Sequence, residues 1–139
     1  VITITRKLEF DAGHRLMGHE SKCRNTHGHR YVCEVTATAP GLDGVGRVID
    51  FSVLKAELGG WLDEHWDHGF IFQAGDPIEP FLRENNQRCY QVPWPPTAEH
   101  MASFLLKWFG EMMAHHNITI TAVRLWETPN CYALATLEG

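Results

Sequence analysis

The sequence predicts an α+β fold: an antiparallel four-stranded sheet with two helices packed on one face. Three observations predict it. Runs rich in β-branched residues with alternating polarity lie at both ends of the chain, over 1–10 and 28–39 and again over 118–126 and 131–137. Between them, two segments carry apolar residues at helical spacing. The strands are grouped rather than alternated with helices, which favours antiparallel pairing over a parallel βαβ core.

The first strand ends near Phe10 and is followed by Asp11-Ala12-Gly13-His14 and a polar loop through Gly18, His19, Glu20 and Ser21. A longer strand starts at Gly28, and Pro40-Gly41-Leu42-Asp43-Gly44 supplies turn residues after it. Ser52 is a candidate N-cap for a helix whose inner face is Leu54, Leu58, Trp61, Leu62 and His65. Gly59-Gly60 inside that helix costs about 1 kcal/mol per glycine against alanine, so a bend or a close approach is expected there. Asp67-His68-Gly69 ends the helix, and Phe70-Ile71-Phe72 reads as a short apolar strand. The proline-rich stretch 73–96 holds a short helix near 79–84 and a strand near 88–92. Thr97 caps the strongest helix, with Met101, Leu105, Trp108 and Met112 on one face, and the last two strands turn through Glu127-Thr128-Pro129-Asn130.

At 139 residues the chain is expected to be one domain, 1–139. Hydrophobic content of 44% and charged content of 21% are those of a globular protein. A net charge of −5 gives no electrostatic case for a nucleic-acid or anionic-membrane partner, and no apolar run reaches 18 residues. The sequence opens directly on strand-like residues with no visible leader, so a cytoplasmic location is expected. The four cysteines, Cys23, Cys33, Cys89 and Cys131, form no C-x-x-C pair and are expected to be free thiols.

Nine histidines are many for this length, and the stretch Cys23-Arg24-Asn25-Thr26-His27-Gly28-His29 concentrates the chemistry. In an extended segment, residues i and i+2 share a face, so His27 and His29 stand about 6–7 Å apart at the backbone and can converge on one ion. A polar turn with two solvated histidines fits the pair alone equally well. His14 is the candidate third ligand, because hairpin-like pairing of the first two strands brings it toward the pair; His19, His65 and His100 are substitutes. Three histidines leave an open position on zinc, the catalytic arrangement, whereas Cys23 as a fourth ligand closes the shell into a structural one. Cys23 is otherwise a packing residue, or a thiolate acting as base beside the metal. His115-His116 at a helix end are expected to interact with its terminal carbonyls and dipole. Asp67-His68 offers a carboxylate that orients an imidazole, or simply a helix cap. Glu127 follows Leu125-Trp126 at a strand end, where it is either a surface charge or a carboxylate that pairs with a donor-rich heterocycle.

Taken together, Phe10-Asp-Ala-Gly-His14-Arg-Leu16, Cys23-x3-His27-Gly-His29-x-Tyr31, Gly46-Arg-Val-Ile-Asp50-Phe51, Asp67-His68, Pro96-Thr97-Ala-Glu99 and Glu127-Thr128 resemble the 6-pyruvoyltetrahydropterin synthase / 6-carboxytetrahydropterin synthase family. The pieces occur in the family's order and span nearly the whole chain. The resemblance implies the tunnelling fold (T-fold), with His14, His27 and His29 binding zinc as the cofactor. It makes Cys23 the proton-abstracting base, Asp67 and His68 its relay, and Glu127 a pterin anchor that also enters the relay. Thr97 and Glu99 fall in the pterin-binding motif. The implied partner is a small pterin substrate, in a homo-oligomer that in the family is commonly a hexamer. Three residues between the cysteine and His-Gly-His look like the bacterial 6-carboxy-5,6,7,8-tetrahydropterin synthases of queuosine biosynthesis; pyruvoyl synthases have a longer gap. The family's Leu-Asp-His is here Trp66-Asp67-His68, which alters packing but keeps the chemical groups, and the stretch 73–95 is longer than in the shortest members.

Overall fold

In the computed structural model, which describes residues 1–138, the element order is β1 (Thr3–His14), β2 (His27–Thr38), α1 (Phe51–Leu54), a π-helical turn (Lys55–Gly59), α2 (Gly60–His65), β3 (Gly69–Gln73), α3 (Glu79–Glu84), β4 (Cys89–Val92), α4 (Ala98–Met113), β5 (Thr119–Thr128) and β6 (Cys131–Thr136). The sheet has six strands in the order β4-β3-β1-β2-β5-β6, two more than the four-stranded sheet expected. The four long strands are antiparallel neighbours, as expected. The two short ones, β3 and β4, join the β1 edge in parallel and make the sheet mixed. Their buried Ile71, Phe72 and Val92 explain the recruitment: runs this short bury both faces only by extending an existing sheet.

The buried stripe of β1 is Leu8, Phe10, Ala12 and His14, and that of β2 is Tyr31, Cys33, Val35 and Ala37. Period-2 alternation sends these side chains to one face. There they join Leu54, Leu58 and Leu62 from the first helix and Met101, Leu105 and Phe109 from α4 in one core. Burying each such side chain contributes about 1.5–3 kcal/mol relative to exposure.

β1 runs four residues past Phe10, so His14 is its last residue rather than lying beyond it. Asp50, not Ser52, caps α1: its carboxylate accepts from the Ser52 amide and hydroxyl, at 2.8 and 2.7 Å. Aspartate reaches the free amide two residues on, as the Asx geometry favours. The Gly59-Gly60 expectation is met as a close approach. The helix widens into a π turn ending at Gly59, and a Cβ on Gly59 would stand 3.3 Å from Leu8 Cδ2. Thr97 caps α4, its hydroxyl accepting from the His100 amide at 3.2 Å. Trp66 is fully buried and packs on Phe10 and Phe104, with ring centroids 5.7 and 5.8 Å away. That packing fixes the end of the helix from which Asp67 projects. No helix among the described residues is long and apolar enough to cross a membrane.

Candidate metal centre and active site

The β1–β2 register builds the centre. His14 pairs with His27 and Ala12 with His29, so three imidazoles emerge on the core face where the apolar stripe runs out. Their ligand atoms all lie within 4.8 Å of one another. His14, 2% exposed, has its Nδ1 2.7 Å from the carbonyl of Pro96. His27 Nδ1 stands 2.7 Å from the carbonyl of Asn25. A carbonyl only accepts, so each Nδ1 carries the proton and each Nε2 presents a bare lone pair. This is the outer-shell arrangement that sets the tautomer of a metal-ligating histidine.

His14 Nε2 and His29 Nε2 lie 3.1 Å apart. Two nitrogens at about 2.0–2.1 Å in a tetrahedral zinc shell stand about 3.3 Å apart, so the three residues fit a metal ion with little movement. Burial, opposed by the Pro96 carbonyl and aided by the charges of His27 and His29, pulls the His14 pKa from 6.5 to about 4. Burial likewise lowers that of His29, against the pull of Glu127 and with the help of His27. Neutral rings are the form that ligates.

Glu127 occupies the inward position two residues after buried Leu125, at the outer limit of the β5 stripe. Its Oε1 lies 3.5 Å from His14 Nε2 and 3.7 Å from His29 Nε2. It therefore borders the space between the histidines, and it also lines a pocket of about 270 Å³ with Glu99, Ala98 and Tyr132. Thr97 sits between Pro96, whose carbonyl orients His14, and the first residue of α4. Its hydroxyl is engaged in the cap.

Asp67 and His68 form the expected pair. His68 Nδ1 and Asp67 Oδ2 are 2.8 Å apart, and Asp67 Oδ1 accepts from the Asp11 amide at 2.8 Å. Burial acts to raise the Asp67 pKa, but the Asp11 amide and His68 outweigh it and hold the carboxyl below its ordinary 3.8. His68 adopts a left-handed backbone, φ 57°, and its amide donates to Asp11 O at 2.6 Å. The ring is exposed and lines, with His29, a cavity of about 570 Å³ on the β1–β2–β3 surface. His68 and His29 thus line one cavity.

Cys23 lies on a 3₁₀ turn, Lys22–Arg24, half-buried, with its carbonyl accepting from the Leu16 amide at 2.9 Å. That bond folds the 15–26 loop back toward the end of β1. The thiol is not among the group of converging ligand atoms, which leaves the three-histidine set open. Cys33, fully buried with its pKa raised by burial, is a packing residue.

Several residues take supporting roles that the sequence did not assign to them. Pro96 and Asn25 act through backbone carbonyls, which carry no side-chain signature. Tyr31 lies under the histidines with its hydroxyl 3.5 Å from His14 Nδ1, and its i+2 spacing from His29 was the available signal. Arg15 pairs with the buried Asp76 across 61 positions in sequence, a contact no local pattern encodes.

A family model described as 6-pyruvoyl tetrahydropterin synthase matches residues 3–138. The chain belongs to that family. Relatives named 6-carboxy-5,6,7,8-tetrahydropterin synthase include one from Rickettsia bellii, 40% identical over 95% of this chain and 98% of its own. Another, from Haemophilus influenzae, is 32% identical over 93% and 94%. The fold matches a crystal structure of an uncharacterised Wolinella succinogenes protein with a TM-score of 0.85 at 23% identity, covering 99% and 98% of the two chains. It matches a Plasmodium vivax 6-pyruvoyltetrahydropterin synthase with 0.71 at 19%, covering 99% of each. The T-fold implied by the sequence is therefore the fold of this pterin-synthase family member.

Proposed function

We propose that the protein is a zinc-dependent 6-carboxy-5,6,7,8-tetrahydropterin synthase. It converts 7,8-dihydroneopterin triphosphate and water to 6-carboxytetrahydropterin, acetaldehyde and triphosphate, in queuosine and 7-deazaguanine biosynthesis. The observation that carries this is the open group of His14, His27 and His29, with Nε2 lone pairs convergent and Glu127 at its border. The Cys-x3-His-Gly-His spacing and the names of the relatives at 40% identity favour the carboxy over the pyruvoyl product.

His14, His27 and His29 would hold the ion, which when bound would supply Lewis acidity toward the substrate's side-chain hydroxyls. Cys23, as thiolate, takes a side-chain proton. His68, held in orientation by Asp67, returns a proton elsewhere on the side chain. Glu127 accepts hydrogen bonds from the pterin ring and tunes His14 and His29; Thr97 and Glu99 belong to the same pterin-binding region. Assembly as a homo-oligomer, a hexamer by family resemblance, completes the site.

Incubating the purified protein with 7,8-dihydroneopterin triphosphate tests the proposal. Acetaldehyde release supports it, and a pyruvoyl product without acetaldehyde assigns the protein to the other branch of the family. Zinc retention with no turnover leaves a binding module on the same scaffold.

A further inference from the structure

On the far side of the molecule from the β1–β2 histidines, a second set of metal-ligating groups converges. Glu57 lies on the π-helical turn, and His115 and His116 on the 3₁₀ turn that follows α4. Their ligand atoms also lie within 4.8 Å of one another. His116 Nε2 is hydrogen-bonded to Glu57 Oε2, His115 Nε2 is 3.9 Å from Glu57 Oε1, and the two rings stand 4.0 Å apart. His116 therefore pairs with Glu57 and not with the helix-terminal carbonyls that were expected to engage it.

Two features of the backbone set up the convergence. The π turn carries one more residue than a helical turn and brings Glu57 toward the end of α4, and π turns recur at functional sites. Asn117, in a left-handed conformation with φ 59°, closes the 3₁₀ turn through a 2.9 Å bond from its amide to Ala114 O. Two adjacent histidines are thereby held toward one carboxylate contributed from 58 positions earlier in the chain. The side chains of Glu57 and His116 are each about one-third exposed and that of His115 about two-thirds, so solvent reaches the group.

We infer that Glu57, His115 and His116 form a second divalent-metal site, taking a borderline ion such as Zn²⁺ or Ni²⁺ through two imidazoles and one carboxylate. Imidazole ligands select such ions over Mg²⁺ and Ca²⁺, which prefer all-oxygen shells. The remaining coordination positions face solvent. An ion there cross-links the first helix to the end of α4 and stabilises the fold by mass action. This site is independent of the pterin chemistry and of the His14 group.

Calorimetric titration of the metal-free full-length chain with Zn²⁺ and with Ni²⁺ tests it, comparing wild type with His115→Ala and with Glu57→Gln/His116→Ala. Wild type is expected to take up one equivalent more per chain than either variant, with a rise in melting temperature on metal addition that the variants lose in part. Turnover is expected to be unchanged in His115→Ala. His115 is largely exposed, so that variant keeps the test valid where the double substitution impairs folding. Equal stoichiometry in wild type and His115→Ala, or uptake of the extra equivalent by the double variant, overturns the assignment.

Discussion

His14 shows how much a single position asks of its surroundings. Burying an imidazole lowers its pKa and costs hydration, and the Pro96 carbonyl offsets part of that cost by fixing the Nδ1 proton. The same bond turns Nε2 toward His29. His14→Ala or His27→Ala is expected to remove one equivalent of metal per chain, measured by elemental analysis, together with activity. Cys23→Ala is expected to lower turnover by about 10²–10⁴-fold, as for loss of a general base, while metal stays bound; loss of the metal in that variant places the thiol in the coordination shell. His68→Gln, which keeps a hydrogen-bonding side chain but no titratable group, is expected to cost a similar factor with substrate affinity retained, read as a fall in kcat without a rise in KM.

Pairing of β1 with β2 is the element on which the centre depends, and a glycine pair permits it. Gly13 faces Gly28 across the ladder. A Cβ on Gly28 would stand 3.1 Å from the backbone oxygen of Ala12, and one on Gly13 2.9 Å from Phe70 Cδ2. The glycine in His-Gly-His is thus required by close strand approach as well as flanked by two candidate ligands. Gly28→Ala is expected to cost about 1–3 kcal/mol, the usual range for overpacking, and to weaken metal binding by spreading His27 and His29. Denaturant melts with and without zinc measure both effects; an unchanged zinc-dependent stabilisation sinks the second. The alternation of β2 was legible in the sequence, and so was the shared face of His27 and His29. The two-strand extension of the sheet by β3 and β4 was not, because runs of five and four residues carry no preference for parallel or antiparallel neighbours.

Across the whole molecule, long-range polar ties hold the loops that bracket the centre. Arg15 Nε donates to Asp76 Oδ2 at 2.8 Å, joining the end of β1 to the segment between β3 and α3. Burial acts to raise the Asp76 pKa, but the Arg15 hydrogen bond, the Ile78 amide and the Arg15 charge prevail and hold it below 3.8. A carboxylate with a depressed native pKa contributes stability that is fully present above its unfolded value and is lost as pH falls through the folded one. Asp76→Asn is therefore expected to destabilise the protein by roughly 1–3 kcal/mol at neutral pH, as for a hydrogen bond to a charged group. The gap from wild type should narrow below pH 3.8 in urea melts, and a gap constant with pH excludes this role. Exposed Tyr132 and Leu134 on the terminal strand β6 leave an apolar sheet edge. Light scattering is expected to give a mass several times that of one chain, and a monomeric mass would refute the proposed oligomer.

By itself, the sequence determined the periodicities, and with them the four long strands, the Thr97-capped helix and the paired face of His27 and His29. Its ordered motifs also identified the family. Those features are local: a two- or 3.6-residue repeat, a cap and a spacing are written in neighbouring residues. Only the tertiary structure decided that His14 sits opposite His27, that Pro96 orients it from 82 positions away, and that Glu127 borders the same space. It also decided that Glu57 claims the two histidines after α4. Each of these depends on strand register or on helix packing across the core, and both are set by the simultaneous burial of side chains distant in the chain.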